Sequence, residues 1–231
     1  MPDFGILFVL ILISAIPAIA VFLWFRLARY AFTSPMFFLS LFAGASSLFV
    51  ALVLQYFVAG LGILPPFTDR AGLFAEIFVR IAFTEELARL FLLVPLFLVF
   101  RRFGLAGRTG RELGAGTMGT ASGLVAGLGF GVLESAVYAA SYPGNLLLRA
   151  FTSTLLHAAC GARVGFAAAA FRERPSLAVL RFLSAVAIHG VYNLMIAAPA
   201  RHAPFVAVFL AFFALASSVQ SIIRGMKEDE E

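Results

Sequence analysis

Long apolar runs, separated by short polar breaks rich in glycine or proline, organise this chain. The runs reach the roughly 20 residues that a helix needs to cross a bilayer. They predict helices near 4–25, 36–59, 73–100, 116–141, 146–170, 177–198 and 203–223. The expected architecture is an all-α polytopic membrane protein of about seven transmembrane helices, with residues 1–231 as a single integral membrane domain. The breaks carry turn chemistry: "GLGILPPFTDRAG" between spans two and three, "RRFGLAGRTGREL" between three and four, "SYPGN" between four and five, and "FRERPS" between five and six. The third span is long, so it should tilt or kink, and Pro95 is the expected kink site. The first run has the look of a secretory signal, but its start carries Asp3 and no Lys or Arg, and the apolar stretch continues through Trp24 and Phe25. It is read as a retained first span.

The arginines set an orientation. Arg26 and Arg29 follow span one, Arg101, Arg102, Arg108 and Arg111 follow span three, Arg172 and Arg174 follow span five, and Arg224 and Lys227 follow span seven. The other side shows mainly Arg70, Arg149 and Arg201. Basic residues concentrate on the cytoplasmic side, so the N-terminus is expected outside and the C-terminus in the cytoplasm.

Composition agrees with a bilayer-embedded chain. Of 231 residues, 62% are apolar and 13% charged, about half the charged share of soluble domains. The net charge of +5 therefore reports orientation and carries no nucleic-acid signature. Cys160 is the single cysteine, which excludes an intramolecular disulfide.

Against this background the ionisable residues inside spans stand out: Glu76, Arg80, Glu85, Glu86, Arg89, Glu134, His157, Arg163 and His189, with Asn193 as a further polar position. Charges at the bilayer centre cost several kcal/mol or more on most scales. Glu76 with Arg80, Glu85 with Arg89, and His189 with Asn193 form i, i+4 pairs, and Glu134 shares a face with Tyr138. That spacing lets Glu85 and Arg89 compensate each other and leaves Glu86 without an i, i+4 partner. Counted at about 1.5 Å per residue from the outer ends, Glu85 lies about 19 Å deep, Glu134 about 10 Å, His157 about 16 Å and His189 about 14 Å. Four helices thus bring carboxylates or imidazoles to overlapping depths, where they could converge on one site. Such a set suits a metal: zinc takes His nitrogen and carboxylate oxygen, and a His₂Glu ligand set with a further Glu as base suits peptide hydrolysis.

The other polar residues have plainer expectations. Glu76–Arg80 should be a self-neutralising structural pair, Arg163 should snorkel to the cytoplasmic end, Arg149 should be interfacial, and His202 should be solvated in an outer loop. Cys160 should be a small buried residue. Gly119, Gly123, Gly127 and Gly131 form a small-xxx-small stripe that favours close helix packing.

Four ordered stretches between about 76 and 196 resemble the PrsW family of intramembrane proteases, related to the CAAX-protease membrane enzymes: "EELAR" at 85–89, "FGVLESAVY" at 130–138, "HAACGARVG" at 157–165 and "HGVYN" at 189–193. Arg89 stands where the family usually has Lys, Ser135 where Asn often follows the Glu, and Asn193 where Asp is common. The resemblance implies an endopeptidase acting on a membrane protein, such as a single-pass anti-sigma-factor-like protein, in a bacterial cytoplasmic membrane, with a catalytic helix core at about 73–198. It implies that Glu134, His157 and His189 bind zinc or another divalent ion and that Glu85 or Glu86 acts as base. Arg89 would neutralise or position the remaining carboxylate, and Asn193 would serve the oxyanion or orient His189. Metal-free glutamate hydrolysis is the close variant. A proton- or ion-coupled transporter and an inactive protease-like scaffold are the rival readings.

Overall fold

The computed structural model describes residues 4–28, 32–62, 64–65, 69–105, 113–141 and 146–228. These residues form α1 (Phe4–Ser14), α2 (Ile16–Leu27), α3 (Ser34–Gly60), α4 (Arg70–Phe74), a π-helical segment (Ala75–Phe83), α5 (Thr84–Arg102), α6 (Ala115–Ser141), α7 (Leu146–Phe151), α8 (Ser153–Ala170), α9 (Pro175–Ala197) and α10 (Ala203–Glu228). No strand occurs among them.

Local chemistry fixes the ends. Proline stands in the first turn of α2, α3 and α9, where its missing N–H costs nothing. The Asp69 carboxylate accepts from Gly72 N at 2.7 Å and caps α4. Helix α5 ends on Gly104 at φ 60. There Leu105 N donates to Phe100 O at 3.0 Å and Gly104 N to Arg101 O at 3.3 Å, the paired bonds that close a helix through a left-handed glycine.

The expected spans fall on these helices. Among the described residues, α3, α6, α9 and α10 are long and apolar enough to cross a membrane, and the pair α1–α2, bent by 46°, makes a fifth if counted as one span. The stretches expected at 73–100 and 146–170 fall short for a shared reason. Helix α5 carries Glu85, Glu86, Arg89, Arg101 and Arg102 in 19 residues, and the other stretch is divided at Thr152, with His157 and Arg163 on α8. Both helices that dilute the apolar pattern supply polar groups to the interior.

The third stretch is irregular at 75–83, in the π-helical segment, and Pro95 stands inside α5. The π-helical segment ends at Phe83, just before Glu85 and Glu86 in the first turn of α5, and such irregularities recur at functional sites.

Helix α6 is the hub. In its apolar stretch 78% of residues are buried, against 28% in α9 and in α10. Its glycine stripe faces α8 in antiparallel register. A Cβ on Gly123 would lie 2.1 Å from Gly161 O, one on Gly127 1.9 Å from His157 O, and one on Gly119 2.5 Å from Gly165 O. Helix α8 answers with its own glycines, because a Cβ on Gly161 would lie 2.3 Å from Gly123 O. On its other face α6 meets α3, where a Cβ on Gly44 would lie 1.8 Å from Ala126 O. Only glycine permits this approach of backbone to backbone.

Outward faces are apolar. Phe38, Phe42, Phe49 and Val53 of α3 and Phe205, Phe209 and Phe213 of α10 are exposed, as expected where lipid is the solvent. Arg163 departs from its expectation. It does not snorkel: it is 8% exposed, and its Nη1 donates to Ala159 O at 2.8 Å and to Ser218 Oγ at 2.8 Å. The small residues of α8 and α10 leave room for it, and Ser218 supplies the acceptor. Cys160 is buried, as expected, with Sγ 3.5 Å from Ala185 O.

Gly123→Leu should therefore separate α6 from α8 and lower stability by at least about 1–3 kcal/mol, the usual cost of overpacking. Gly60→Ala, which meets nothing within 4 Å, should stay within about 0.5 kcal/mol of wild type. Denaturant titration in micelles measures both.

Candidate metal centre

The register of α6 against α8 places the polar groups. With Gly127 on His157 and Gly131 on Thr154, Glu134 sits beside Ser153 and His157. Its Oε2 lies 3.2 Å from His157 Nε2 and accepts from Arg149 Nη2 at 2.8 Å and Ser153 Oγ at 3.1 Å. Helix α9 brings His189, whose ring meets that of His157 edge to face at 4.9 Å. Gly190 holds this part of α9 against the π-helical segment, because a Cβ there would fall 2.3 Å from the Phe78 ring. Phe130 of α6 packs on His157 at 4.7 Å and under the Arg89 guanidinium at 4.7 Å.

The charge pairing on α5 differs from the i, i+4 expectation. Arg89 pairs with Glu86, three residues away, and both are fully buried. Glu85 turns toward α3, where Gln55 Nε2 donates to its Oε1 at 3.1 Å. Positions three and four apart are both neighbours on a helix, so tertiary partners decided: His189 Nδ1, 2.8 Å from Glu86 Oε1, holds Glu86 inward. Glu85 is thus the carboxylate without a cationic partner on its own helix. Its Oε2 is buried and makes no hydrogen bond. Glu76 and Arg80 do form their expected ion pair.

The histidine nitrogens sort themselves. Arginine can only donate, so His157 Nδ1, 3.4 Å from Arg89 Nη2, is on the acceptor side and Nε2 carries the proton toward Glu134. On His189, Nδ1 faces Glu86 and Nε2 lies 3.7 Å from Glu85 Oε2. That separation is too long for a hydrogen bond. It suits two ligands of one tetrahedral cation, which stand roughly 3.4 Å apart for bonds near 2.1 Å. One donor atom each from Glu85, His157 and His189 lies within 4.8 Å of the others, all three residues buried.

The charge balance gives the same answer. Arg89 offsets Glu86 and Arg149 offsets Glu134. Glu85 remains, buried and supported by one neutral amide. Such a group needs a positive charge nearby, and a divalent ion held with the two imidazoles would supply it. The residues present therefore fit a metal.

Sequence reasoning grouped Glu134 with the two histidines; the structure brings Glu85 donor atoms within 4.8 Å of both histidines and holds Glu134 Oε2 3.2 Å from His157 Nε2. Asn193 lies half-buried one turn beyond His189, and no hydrogen bond joins them among the described residues. Three partners were missed. Gln55 is the lone amide in the apolar run of α3, a signal in itself. Arg149, expected at the interface, is bound to Glu134 and covers the Tyr138 ring at 4.0 Å. Tyr192 donates to Thr152 Oγ1 at 3.1 Å; its role was not visible beside the adjacent Asn193.

No curated protein and no solved structure matches this chain. A family model described as PrsW family intramembrane metalloprotease matches residues 33–218. The matched stretch runs from the start of α3 into α10 and contains every residue of the centre. Through a match over most of its length, the chain belongs to the PrsW family of intramembrane metalloproteases.

Proposed function

We propose that this multi-pass membrane protein cleaves a peptide bond of a membrane protein at a divalent cation held by Glu85, His157 and His189. The observation that carries the assignment is the convergence of these three buried side chains from α5, α8 and α9. Family membership supports membrane proteolysis by a metalloenzyme, and the two-imidazole, one-carboxylate donor set suits zinc. When bound, the ion would supply Lewis acidity, making water nucleophilic at neutral pH and polarising the scissile carbonyl.

The chain's own residues have separable tasks. Glu86 fixes the His189 ring through Nδ1, and Glu134 fixes the His157 ring through Nε2; carboxylates in such places orient metal-binding histidines. Glu86 has both oxygens committed. Among the described residues Glu134 receives its hydrogen bonds on Oε2, and its side chain is 25% exposed. Its Oε1 is the better base. It takes a proton from the attacking water, and the proton passes to the amine nitrogen as the C–N bond breaks. Asn193 donates its amide to the developing oxyanion. Arg89 neutralises Glu86, and for His157 Nδ1 to face the ion the Arg89 Nη2 that lies 3.4 Å from it turns away.

One observation favours a second reading. The unpartnered Glu85 Oε2 is also what a carboxylate that activates water directly would present, with no metal. Both readings make Glu85 essential. We take the whole chain as one membrane domain with its catalytic core near 73–198. The N-terminus lies outside and the C-terminus in the cytoplasm of a bacterial membrane, and the substrate is a single-pass protein such as an anti-sigma factor.

Glu85→Gln and His157→Ala should each slow cleavage by at least about 100-fold and accumulate an uncut partner in the membrane. If neither variant stabilises a partner, the protease reading fails. Arg149→Gln should lower kcat about 10–100-fold, the usual effect of losing an outer-shell partner, with KM little changed; single-turnover kinetics reads the split. Cysteine at His202 should react with an impermeant maleimide in intact cells, and cysteine at Arg101 only after permeabilisation.

A further inference from the structure

A cavity of about 490 Å³ opens at the end of the bundle where α6 and α9 begin and α8 and α10 end. Thr120 on its wall and Glu134 in the metal centre are fourteen positions apart on α6, about 21 Å along the helix, so the two sites are separate. Arg174, Arg181 and Arg224 line it. None of these guanidinium groups forms an ion pair or hydrogen bond among the described residues; Arg181 only approaches the Phe166 ring, at 5.6 Å. Glu173 and Glu228 also line the cavity, equally without an ion pair. Below it, a smaller void is shared by Arg181 and the buried Arg163, with Thr120, Ser218 and Ser221 around it.

Arginines at helix ends are ordinarily explained by orientation, and that explains their side of the membrane. It does not explain why three turn into one concavity above a fourth, where they repel one another. Hydroxyls of Thr117, Ser217 and Ser221 add neutral donors to the wall. The first turn of α6 also lies there, through Ala115 and Gly116, whose N–H groups have no acceptor within the helix. Forked guanidinium donors, hydroxyls and helix-end amides are the groups that bind phosphate oxygens, and the volume is that of a small-molecule pocket.

We propose that this cavity binds a phosphate-bearing anion, either the headgroup of an acidic phospholipid or a soluble phosphate compound. An occupant would tie together α6, α8 and α9, the helices that carry Glu134, His157 and His189. Occupancy should therefore raise stability by mass action, independently of any protease activity.

The test uses the full chain in phosphatidylcholine nanodiscs, with and without phosphatidylglycerol, and separately with inorganic phosphate or glycerol 3-phosphate added. Native mass spectrometry reads bound anion, and thermal unfolding reads Tm. Wild type should retain phosphatidylglycerol or the soluble phosphate and gain Tm. Arg174→Gln, Arg181→Gln and Arg224→Gln should each weaken binding by about tenfold, the loss of one charge-assisted hydrogen bond, while Arg26→Gln, on α2, should not. Retention of the lipid alone identifies the headgroup as the source, and retention of the soluble phosphate alone identifies a metabolite. Three variants that bind like wild type would overturn the proposal, as would an equal loss in Arg26→Gln, which would mark a general charge effect. Arg181 also packs on Phe166, so the exposed Arg174 and Arg224 decide the matter if Arg181→Gln does not fold.

Discussion

Glycine-to-carbonyl contact between α6 and α8 sets the geometry on which the centre depends. Lipid offers little hydrophobic drive for helices to associate, so close packing has to supply it. Here two glycine-bearing faces meet in antiparallel register, Gly119 on Gly165, Gly123 on Gly161 and Gly127 on His157. Two more turns along that register, past Gly131 on Thr154, bring Glu134 to His157 and Ser153. The stripe thus does more than hold two helices together. It fixes which residues of α8 face the last third of α6. The face of α6 that meets α3 is equally tight, at Gly44 and Gly129, and α3 presents Gln55 to Glu85.

The buried charges obey a simple balance. Two carboxylates have an arginine each, and both also hold a histidine in a fixed orientation. The third has neither an arginine nor a full set of hydrogen bonds. Breaking an ion pair in such surroundings leaves a charge uncompensated and costs several kcal/mol, so the pairs Glu86–Arg89 and Glu134–Arg149 secure the scaffold around Glu85. A divalent cation held with the two imidazoles would supply the missing positive charge, in keeping with membership of a metalloprotease family.

Much of this was legible from residues. The apolar runs gave the helices, the spacing of glycines gave the packing face of α6, and polar residues at matched depths gave the convergence of Glu85, Glu134, His157 and His189. What was not legible required a neighbour on another helix. Arg89 lies three residues from one glutamate and four from the other; the i, i+4 spacing favoured Glu85, but His189 holds Glu86 inward and Arg89 pairs with it. Arg163 read as a snorkelling residue because Ser218, its partner, is 55 positions away. Arg149 read as interfacial because Glu134 lies across a turn. Among the described residues four or five helices stand out as spans by apolarity, because Glu85, Glu86 and Arg89 on α5 and His157 and Arg163 on α8 lower the apolarity of those two helices.

The central claim is that Glu85, His157 and His189 hold a divalent cation on which cleavage depends. X-ray absorption at the metal edge of the purified protein, paired with activity before and after chelation, tests it most directly. The account predicts one ion per chain with two imidazole nitrogens and a carboxylate oxygen at about 2.0–2.2 Å. It also predicts loss of activity on removal and recovery on readdition. Full cleavage by demonstrably metal-free protein would contradict it and leave Glu85 as a base acting alone.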